Sequence, residues 1–400
     1  MTNKKAGSSI SDVIKRQFSP VTRKTKANLQ PSAPLILRPP DFLISTPLIF
    51  IPGIMGSRLF VKWSSEPIWP PVGWWDHGHF KPRSIRDLVE LQEKEVSQND
   101  PLFPLVYSEL LRFLENMGYI VGRNFWIFAY DWTQSNRKSG EQLAQLIQTI
   151  LSEHPQWKSV DIVNHSMGGL VTRAAGKLYA APLRRTVYIT SPHFGAPKAY
   201  FALHPKVDFS VFQNFFGSLL GDLAWKWYLH RFGNTDTIEK EVKWLSRQVD
   251  SVYELLPDKF YFNQNHSLLV RKNLNEEVPI WGLESTYFAD PWKFPTQDLN
   301  AKVRQAMAFK EELGDTLPGL ENLVIYSDSE ETIDRITYRE HLGRHFGAHY
   351  DSGQRGDTMV PTDSASLNNC SEARKVKGTH NGVPNSQETG LLVRDFLLRP

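Results

Sequence analysis

The stretch "DIVNHSMGGLVTR", residues 161–173, governs how the rest of this chain is read. Its first half is a short apolar run of the kind that forms a buried strand, and its second half, opened by two glycines, is a helix former. Ser166 therefore falls on the turn between them. A serine there is either a structural hydroxyl or a nucleophile held out on a strained turn, and the six residues "NHSMGG" do not decide which. Gly168, two places later, is the small residue required where a helix backbone passes close to a strand. Two places before stands Asn164, where a second glycine would be usual; asparagine is small and tolerates unusual backbone angles.

Outward from this turn, strand and helix patterns alternate. "TPLIFIPGIMG" (46–56) is a buried-strand run ending in a glycine-rich turn. "YSELLRFLENMG" (107–118) repeats Leu110, Leu111, Leu114 and Met117 at helical spacing and leads into the strand-like "FWIFAYDW" (125–132). The next helix pattern is "SGEQLAQLIQTILSEH" (139–154), with Ser139 as its expected N-cap. After the 161–173 unit comes the strand "RRTVYITSP" (184–192). Such alternation predicts parallel βαβ units, hence an α/β fold with a mostly parallel central sheet flanked by helices. The pattern lapses over about 199–318, where large apolar residues such as Phe212, Phe215, Phe216, Leu219 and Trp225 fall at helical spacing, predicting an inserted helical cap. It resumes at "LENLVIYSD" (320–328) and closes with "ARKVKGTHNGVP" and the helix "SQETGLLVRDFLL".

Composition is that of a globular chain: 400 residues, 40% hydrophobic, 22% charged, with 12 Trp. The net charge of +3 is unevenly spread: residues 1–40 hold eight Lys and Arg against Asp12 alone, a net of +7, leaving −4 for the remainder. A basic, polar, weakly periodic segment predicts a disordered N-terminal tail, with the domain proper at 41–400. Its sharper reading is a tether to anionic lipid or nucleic acid. No apolar run approaches the ~20 residues of a membrane span, and Cys370 is the single cysteine. The expectation is a cytoplasmic protein, at most peripheral to a membrane.

A serine hydroxyl attacks an acyl group only with a base beside it, an acid to orient that base, and donors for the developing oxyanion. The donors expected are the backbone amides of Met167, directly after Ser166, and of Ile54 in the early turn "PGIMG". "RGDTMVP" offers Asp357 as the acid, with Asp351 and Asp363 as rivals, and "GTHNGVP" offers His380, 23 residues after Asp357, as the base. Of 12 histidines, His380 is the one that follows the acid and precedes the closing helix. No phosphate-cradling loop, zinc spacing or basic-aromatic stripe for nucleic acid is present, so no cofactor and no nucleic-acid partner are expected. His341, His345 and His349 recur every fourth residue, but Gly343 and Gly347 interrupt the helix a metal site would need. His193, in "SPHFGAP", is expected near the site in a structural role.

Taken together, "PLIFIPGIMGSRL", "AYDWTQS", "NHSMGGLVTR", "SPHFGAPKA", "SVYELLP", "GDTMVP" and the late His380 resemble the lecithin:cholesterol acyltransferase group of α/β-hydrolases, in register from about residue 46 onward. The resemblance implies an α/β-hydrolase fold, Ser166 as nucleophile, Asp357 as acid, His380 as general base, and Ile54 and Met167 as oxyanion amides. Two departures stand out: Thr358 and Met359 replace the usual Gly and Thr after the acid, and the disulfide cysteines of secreted members are missing. It also implies a Trp-bearing lid at about 61–80, where "EPIWPPVGWWDHGHF" carries Trp69, Trp74 and Trp75. Trp suits a membrane interface because its ring is apolar and its N–H stays wet; rings packed on a sheet edge are the plainer reading.

The expected activity is therefore that of a serine-dependent acyl-ester hydrolase or O-acyltransferase on lipid-like or other hydrophobic esters. Two other readings stay open. One is a catalytically silent α/β-hydrolase that binds a hydrophobic ligand or a protein partner, and the other is an esterase for a small metabolite. Acyl chain, acceptor and oligomeric state are not legible.

Overall fold

The computed structural model describes residues 46–61, 67–69, 94–101, 104–203, 246–264, 266–272, 276–280, 282–287, 300–341, 344–352, 354–367 and 369–399. The tail at 1–40, Trp74 and Trp75, and the aromatic run from Phe209 to Tyr228 lie outside these residues. In chain order the first elements are β1 (Leu48–Ile51), β2 (Ser57–Val61), β3 (Pro67–Trp69), β4 (Lys94–Pro101), α1 (Pro104–Asn116), β5 (Phe125–Ile127), α2 (Asn136–Glu153), β6 (Val160–His165), α3 (Gly168–Leu178) and β7 (Leu183–Ile189). There follow α4 (Pro197–Leu203), α5 (Asp250–Glu254), α6 (Lys259–Asn263), β8 (Leu269–Lys272), β9 (Glu277–Ile280), α7 (Leu283–Tyr287) and α8 (Asn300–Leu313). The last are β10 (Glu321–Tyr326), β11 (Glu330–Thr332), β12 (Arg335–His341), β13 (Arg344–Asp351), β14 (Gln354–Gly356), α9 (Thr362–Ala365), β15 (Glu372–Lys375) and α10 (Gln387–Leu397).

Six strands form the central sheet in the order β15-β10-β7-β6-β1-β5, and each neighbouring pair is parallel. Strand alternation divides the core between the two faces. Leu48, Phe50, Val163, Val187, Ile189, Leu323 and Ile325 pack with Leu110 and Leu114 of α1 and Val393 and Phe396 of α10. Ile49, Ile51, Ile162, Tyr188 and Val324 pack with Leu143, Ile147 and Ile150 of α2 and Leu170, Val171 and Ala174 of α3. Leu143, Ile147 and Ile150 fall on one helical stripe, and burying each stabilises the fold by about 1.5–3 kcal/mol. Strands covered on both faces need no polar side, which is why they read as continuous apolar runs.

Helix α2 starts earlier than the Ser139 cap expected from sequence. Ser135 is the N-cap, its Oγ accepting the Arg137 amide at 3.2 Å, and Ser139 is buried inside the helix. The extra turn has a tertiary cause: the Glu254 carboxylate accepts the Asn136 amide at 2.6 Å and the Ser135 hydroxyl. That partner lies 118 residues away from Asn136, beyond the reach of a local capping rule.

The stretch 199–318 is helical over α5, α6, α7 and α8 but also yields β8 and β9. These join β12 and β13 in a second sheet, ordered β13-β12-β8-β9, with β8 parallel to β12. His341, His345 and His349 lie on the β12–β13 hairpin and not on a helix; Glu340 stands opposite His345, and Thr337 opposite His349. Among the described residues, no group of three or more His, Cys, Asp or Glu is placed to hold a metal ion. Within the expected lid loop, β3 pairs antiparallel with β2, Trp69 opposite Leu59. Among the described residues no helix is long and apolar enough to cross a membrane.

Candidate active site

The residues expected to carry chemistry meet at the carboxyl ends of the central strands, where open α/β sheets place their ligands. Ser166 follows β6 directly and adopts φ 53°, a left-handed backbone that a side chain seldom takes. Its amide donates to the Ile189 carbonyl at 2.9 Å, which ties the turn to β7. Helix α3 then starts so close to β1 that a Cβ on Gly168 would lie 2.7 Å from both the Ile51 and Pro52 carbonyl oxygens. A side chain on Gly169 would meet the Ser191 Oγ at 2.3 Å. Asn164 needs no unusual backbone, because it lies within β6 opposite Ile51 and Tyr188. Its Oδ1 instead accepts the Ser191 hydroxyl at 3.1 Å, filling the space that a glycine would leave.

Ser166 Oγ lies 2.8 Å from His380 Nε2, and His380 Nδ1 lies 2.7 Å from Asp357 Oδ2. Since a carboxylate accepts, the hydrogen sits on Nδ1 and leaves Nε2 to accept from the serine. The other Asp357 oxygen accepts the amides of Met359 at 2.9 Å and Val360 at 2.7 Å, and the His380 amide donates to the Asp357 carbonyl at 2.6 Å. Asp357 and His380 are thus fixed to each other through backbone as well as side chain. Of the rival acids, Asp363 is engaged by His266 at 3.0 Å, and Asp351 closes β13 opposite Arg335. Thr358 takes φ 82°, the conformation for which glycine is the unstrained residue; its amide is held by Thr332 Oγ1 at 3.0 Å.

The early turn closes over the serine. The Gly56 amide donates to the Gly53 carbonyl at 3.0 Å, and a Cβ on Gly53 would lie 2.9 Å from the Ser166 Cβ. The Tyr130 hydroxyl, from "AYDW", braces the turn by donating to the Pro52 carbonyl at 3.1 Å. Among the described residues, neither the Ile54 amide nor the Met167 amide donates to a backbone carbonyl, whereas the Gly56 and Ser166 amides beside them do. Ser166 and His380 open onto a mostly apolar cleft, continuous with solvent and walled by Ile54, Pro192, Ala196, Leu255, Met359 and Val360. The remaining motifs build that wall. The Ala196 amide of "SPHFGAP" donates to the Leu255 carbonyl of "SVYELLP" at 2.8 Å, and buried Lys310 bonds the Leu256 carbonyl at 2.8 Å and Asp258 at 3.1 Å. His193 is fully buried, its carbonyl accepting from Arg173 at 3.0 Å, so it serves the scaffold under this wall.

Three residues escape the sequence reading. His165 bridges the Tyr107 hydroxyl at 2.9 Å and the His380 carbonyl at 3.0 Å; burial, and then the charge of His380, push its imidazole well below the ordinary value. Tyr107 also accepts the Gly53 amide at 3.0 Å, and burial raises its phenol. Lys198 is buried on α4 with its Nζ 3.6 Å from Met359 Sδ; burial lowers its ammonium to about 8 against the opposing pull of Asp357. Each acts through partners distant in sequence, and no local spacing marks them.

Comparison with known proteins agrees with this architecture. The model of the family described as lecithin:cholesterol acyltransferase matches residues 94–215, which contain Ser166 and the whole elbow. Over those residues the chain is similar to that family, and its parallel sheet flanked by helices is an α/β-hydrolase fold. A chain of the Tle4–Tli4 complex shares this fold with a TM-score of 0.60 at 15% identity, over 88% of this chain and 98% of that one. The mature lipase BlEst2 of Bacillus licheniformis aligns over 88% of this chain and 92% of its own, at 12% identity and a TM-score of 0.41. No curated protein matches the sequence of this chain at a significant level.

Proposed function

We propose that this α/β-hydrolase is a serine-dependent acyl-ester hydrolase or O-acyltransferase for lipid-like or other hydrophobic esters, working through an acyl-enzyme on Ser166. One observation carries the reading: an unbroken run of hydrogen bonds from Ser166 Oγ through His380 to Asp357, at 2.8 and 2.7 Å, opening onto an apolar cavity. Ser166 Oγ attacks the ester carbonyl while His380 Nε2 takes its proton, and Asp357 orients and stabilises the resulting imidazolium. The amides of Ile54 and Met167 receive the oxyanion; each such donor is worth roughly 3–4 kcal/mol in the transition state. The tetrahedral adduct expels the alcohol, which takes the proton from His380, and the acyl group stays on Ser166. Water or an acceptor alcohol then gives its proton to His380 and attacks the acyl-enzyme, releasing acid or a new ester.

The apolar wall, with Leu255 contributed from the 199–318 stretch, favours an acyl chain over a sugar or peptide. The family matched by residues 94–215 is named for acyl transfer from lecithin, which points the same way. The cap over about 199–318 and the lid role of Trp69, Trp74 and Trp75 belong to the same proposal. Product analysis on a phospholipid and p-nitrophenyl ester panel, with and without a long-chain alcohol, tests it. Free fatty acid from long-chain esters, joined by alkyl ester when alcohol is present, is the expected result for a transferase; acid alone identifies a hydrolase. No turnover of any ester by folded protein, with Ser166 unreactive, would leave the silent ligand-binding reading instead.

A further inference from the structure

We propose that Tyr107 and His165 are positioning residues of this reaction, forming a tie that holds the oxyanion turn and the general base in register. The tie runs through three hydrogen bonds: Gly53 amide to Tyr107 Oη at 3.0 Å, Tyr107 to His165 Nδ1 at 2.9 Å, and His165 Nε2 to the His380 carbonyl at 3.0 Å. It joins four separate pieces of chain: the turn after β1, the first turns of α1, the end of β6 and the loop after β15. This inference rests on the acyl-enzyme reading of Ser166.

The direction of every bond is fixed by chemistry. A carbonyl only accepts, so the hydrogen of the His165 ring is on Nε2. An amide only donates, so Tyr107 Oη accepts from Gly53 and its single hydrogen goes to His165 Nδ1. Tyr107 and His165 are both buried, where an unmade bond of this kind leaves a polar group uncompensated. Both donor and acceptor positions of His165 are filled by a neutral ring. A second cation so near His380, whose ring centroid is 4.8 Å away, would oppose the imidazolium that forms when Ser166 gives up its proton.

The consequences fall on the reacting groups and not only on the fold. The Gly53 amide held by Tyr107 directly precedes Ile54, so removing the phenol frees the turn that presents the oxyanion donor. The His380 backbone is held at both ends, its amide by the Asp357 carbonyl at 2.6 Å and its carbonyl by His165. Releasing either end lets Nε2 drift from Ser166 Oγ, and a misplacement of about 1 Å costs on the order of a hundredfold in rate.

Tyr107→Phe keeps the ring and removes only the hydroxyl. With a soluble p-nitrophenyl ester, its kcat is expected to fall about tenfold to a hundredfold while KM stays within about threefold. A folded Tyr107→Phe with unchanged kcat and a lowered melting temperature would make the tie purely structural and overturn the proposal. His165→Gln retains an amide donor for the His380 carbonyl and His165→Leu does not; the glutamine variant is expected to keep the higher kcat, and equal losses would count against positioning. The wild-type His165 ring gives a readout independent of turnover: its nitrogen chemical shifts should report the Nε2–H tautomer, and an Nδ1–H tautomer overturns the tie. Failure of the tie alone leaves Ser166 of the wild type reactive to fluorophosphonate. An unreactive Ser166 in folded wild type would instead overturn the acyl-enzyme reading and, with it, the catalytic purpose of the tie.

Discussion

Ser166 and Thr358 both hold a left-handed backbone without being glycine, at φ 53° and 82°, and both lie within the walls that bring His380 into place. At Ser166 the strain serves the chemistry, because the turn aims Oγ at His380 Nε2 and the side chain that creates the strain is the proposed nucleophile. At Thr358 the backbone alone matters: it turns the chain so that the amides of Met359 and Val360 reach the Asp357 carboxylate. There the usual residue is glycine, and the threonine is accommodated because Thr332 holds its amide. Glycine is thus forbidden by chemistry at one position and favoured by sterics at the other.

Ser166→Gly separates the two cases most sharply. It should abolish acyl transfer, with kcat down by about 10⁴–10⁶, yet raise the melting temperature, since glycine takes this φ without a Cβ penalty of about 1–2 kcal/mol. An inactive variant that is less stable than wild type would mean that the turn carries no strain. Gly168→Ala probes the close approach that the same turn requires. The two nearest atoms met by the new Cβ are backbone oxygens at 2.7 Å, so neither can swing away, and a loss of about 1–3 kcal/mol in denaturant unfolding is expected, with kcat falling as α3 is pushed from β1. Wild-type stability would show that helix and strand are not packed so closely.

Glu254 extends the comparison to a strain of charge. Burial raises its carboxyl to about 7, above an ordinary value of 4.5, despite the bonds from Ser135 and Asn136. Between those values the folded chain holds a proton that the unfolded chain has released. This contribution to stability is therefore complete below about pH 4.5 and is lost as pH rises through about 7. Glu254→Gln keeps an acceptor for Asn136 and cannot ionise. Its melting temperature relative to wild type should rise between about pH 5 and about pH 8; a constant difference would show that Glu254 does not titrate there. The smallest effect is expected of Thr358→Gly, a gain of up to about 1 kcal/mol with unchanged kcat, because relief of the backbone is partly offset by the entropy of glycine in the unfolded chain. A fall in kcat would assign the Thr358 side chain a part in the site.

The same contrast explains what the sequence makes legible. Each strand and helix of the βαβ order, the elbow at Ser166, the turn "PGIMG" and the loops of Asp357 and His380 has a local pattern of its own, and the structure brings Ser166, Asp357 and His380 together. By sequence Asn164 reads as a tolerant backbone position, whereas its use is a side-chain bond to Ser191, which lies in a different strand connection. The sequence favours Ser139 as the cap because the true cap, Ser135, depends on Glu254. The β12–β13 hairpin escapes for a related reason: its histidines repeat at helical spacing, while its strands pair with each other and with β8 from the inserted stretch. Tyr107 and His165 carry no motif of their own, since their partners are 54 and 215 residues away respectively.

The central claim, that Ser166 accepts the acyl group with His380 as its base, is tested most directly by mass spectrometry of the folded protein after a brief exposure to a p-nitrophenyl ester or a fluorophosphonate. A single adduct on Ser166 is expected, absent from Ser166→Gly and formed far more slowly in His380→Ala. An adduct on another residue, or equal labelling of Ser166 with and without His380, would contradict it.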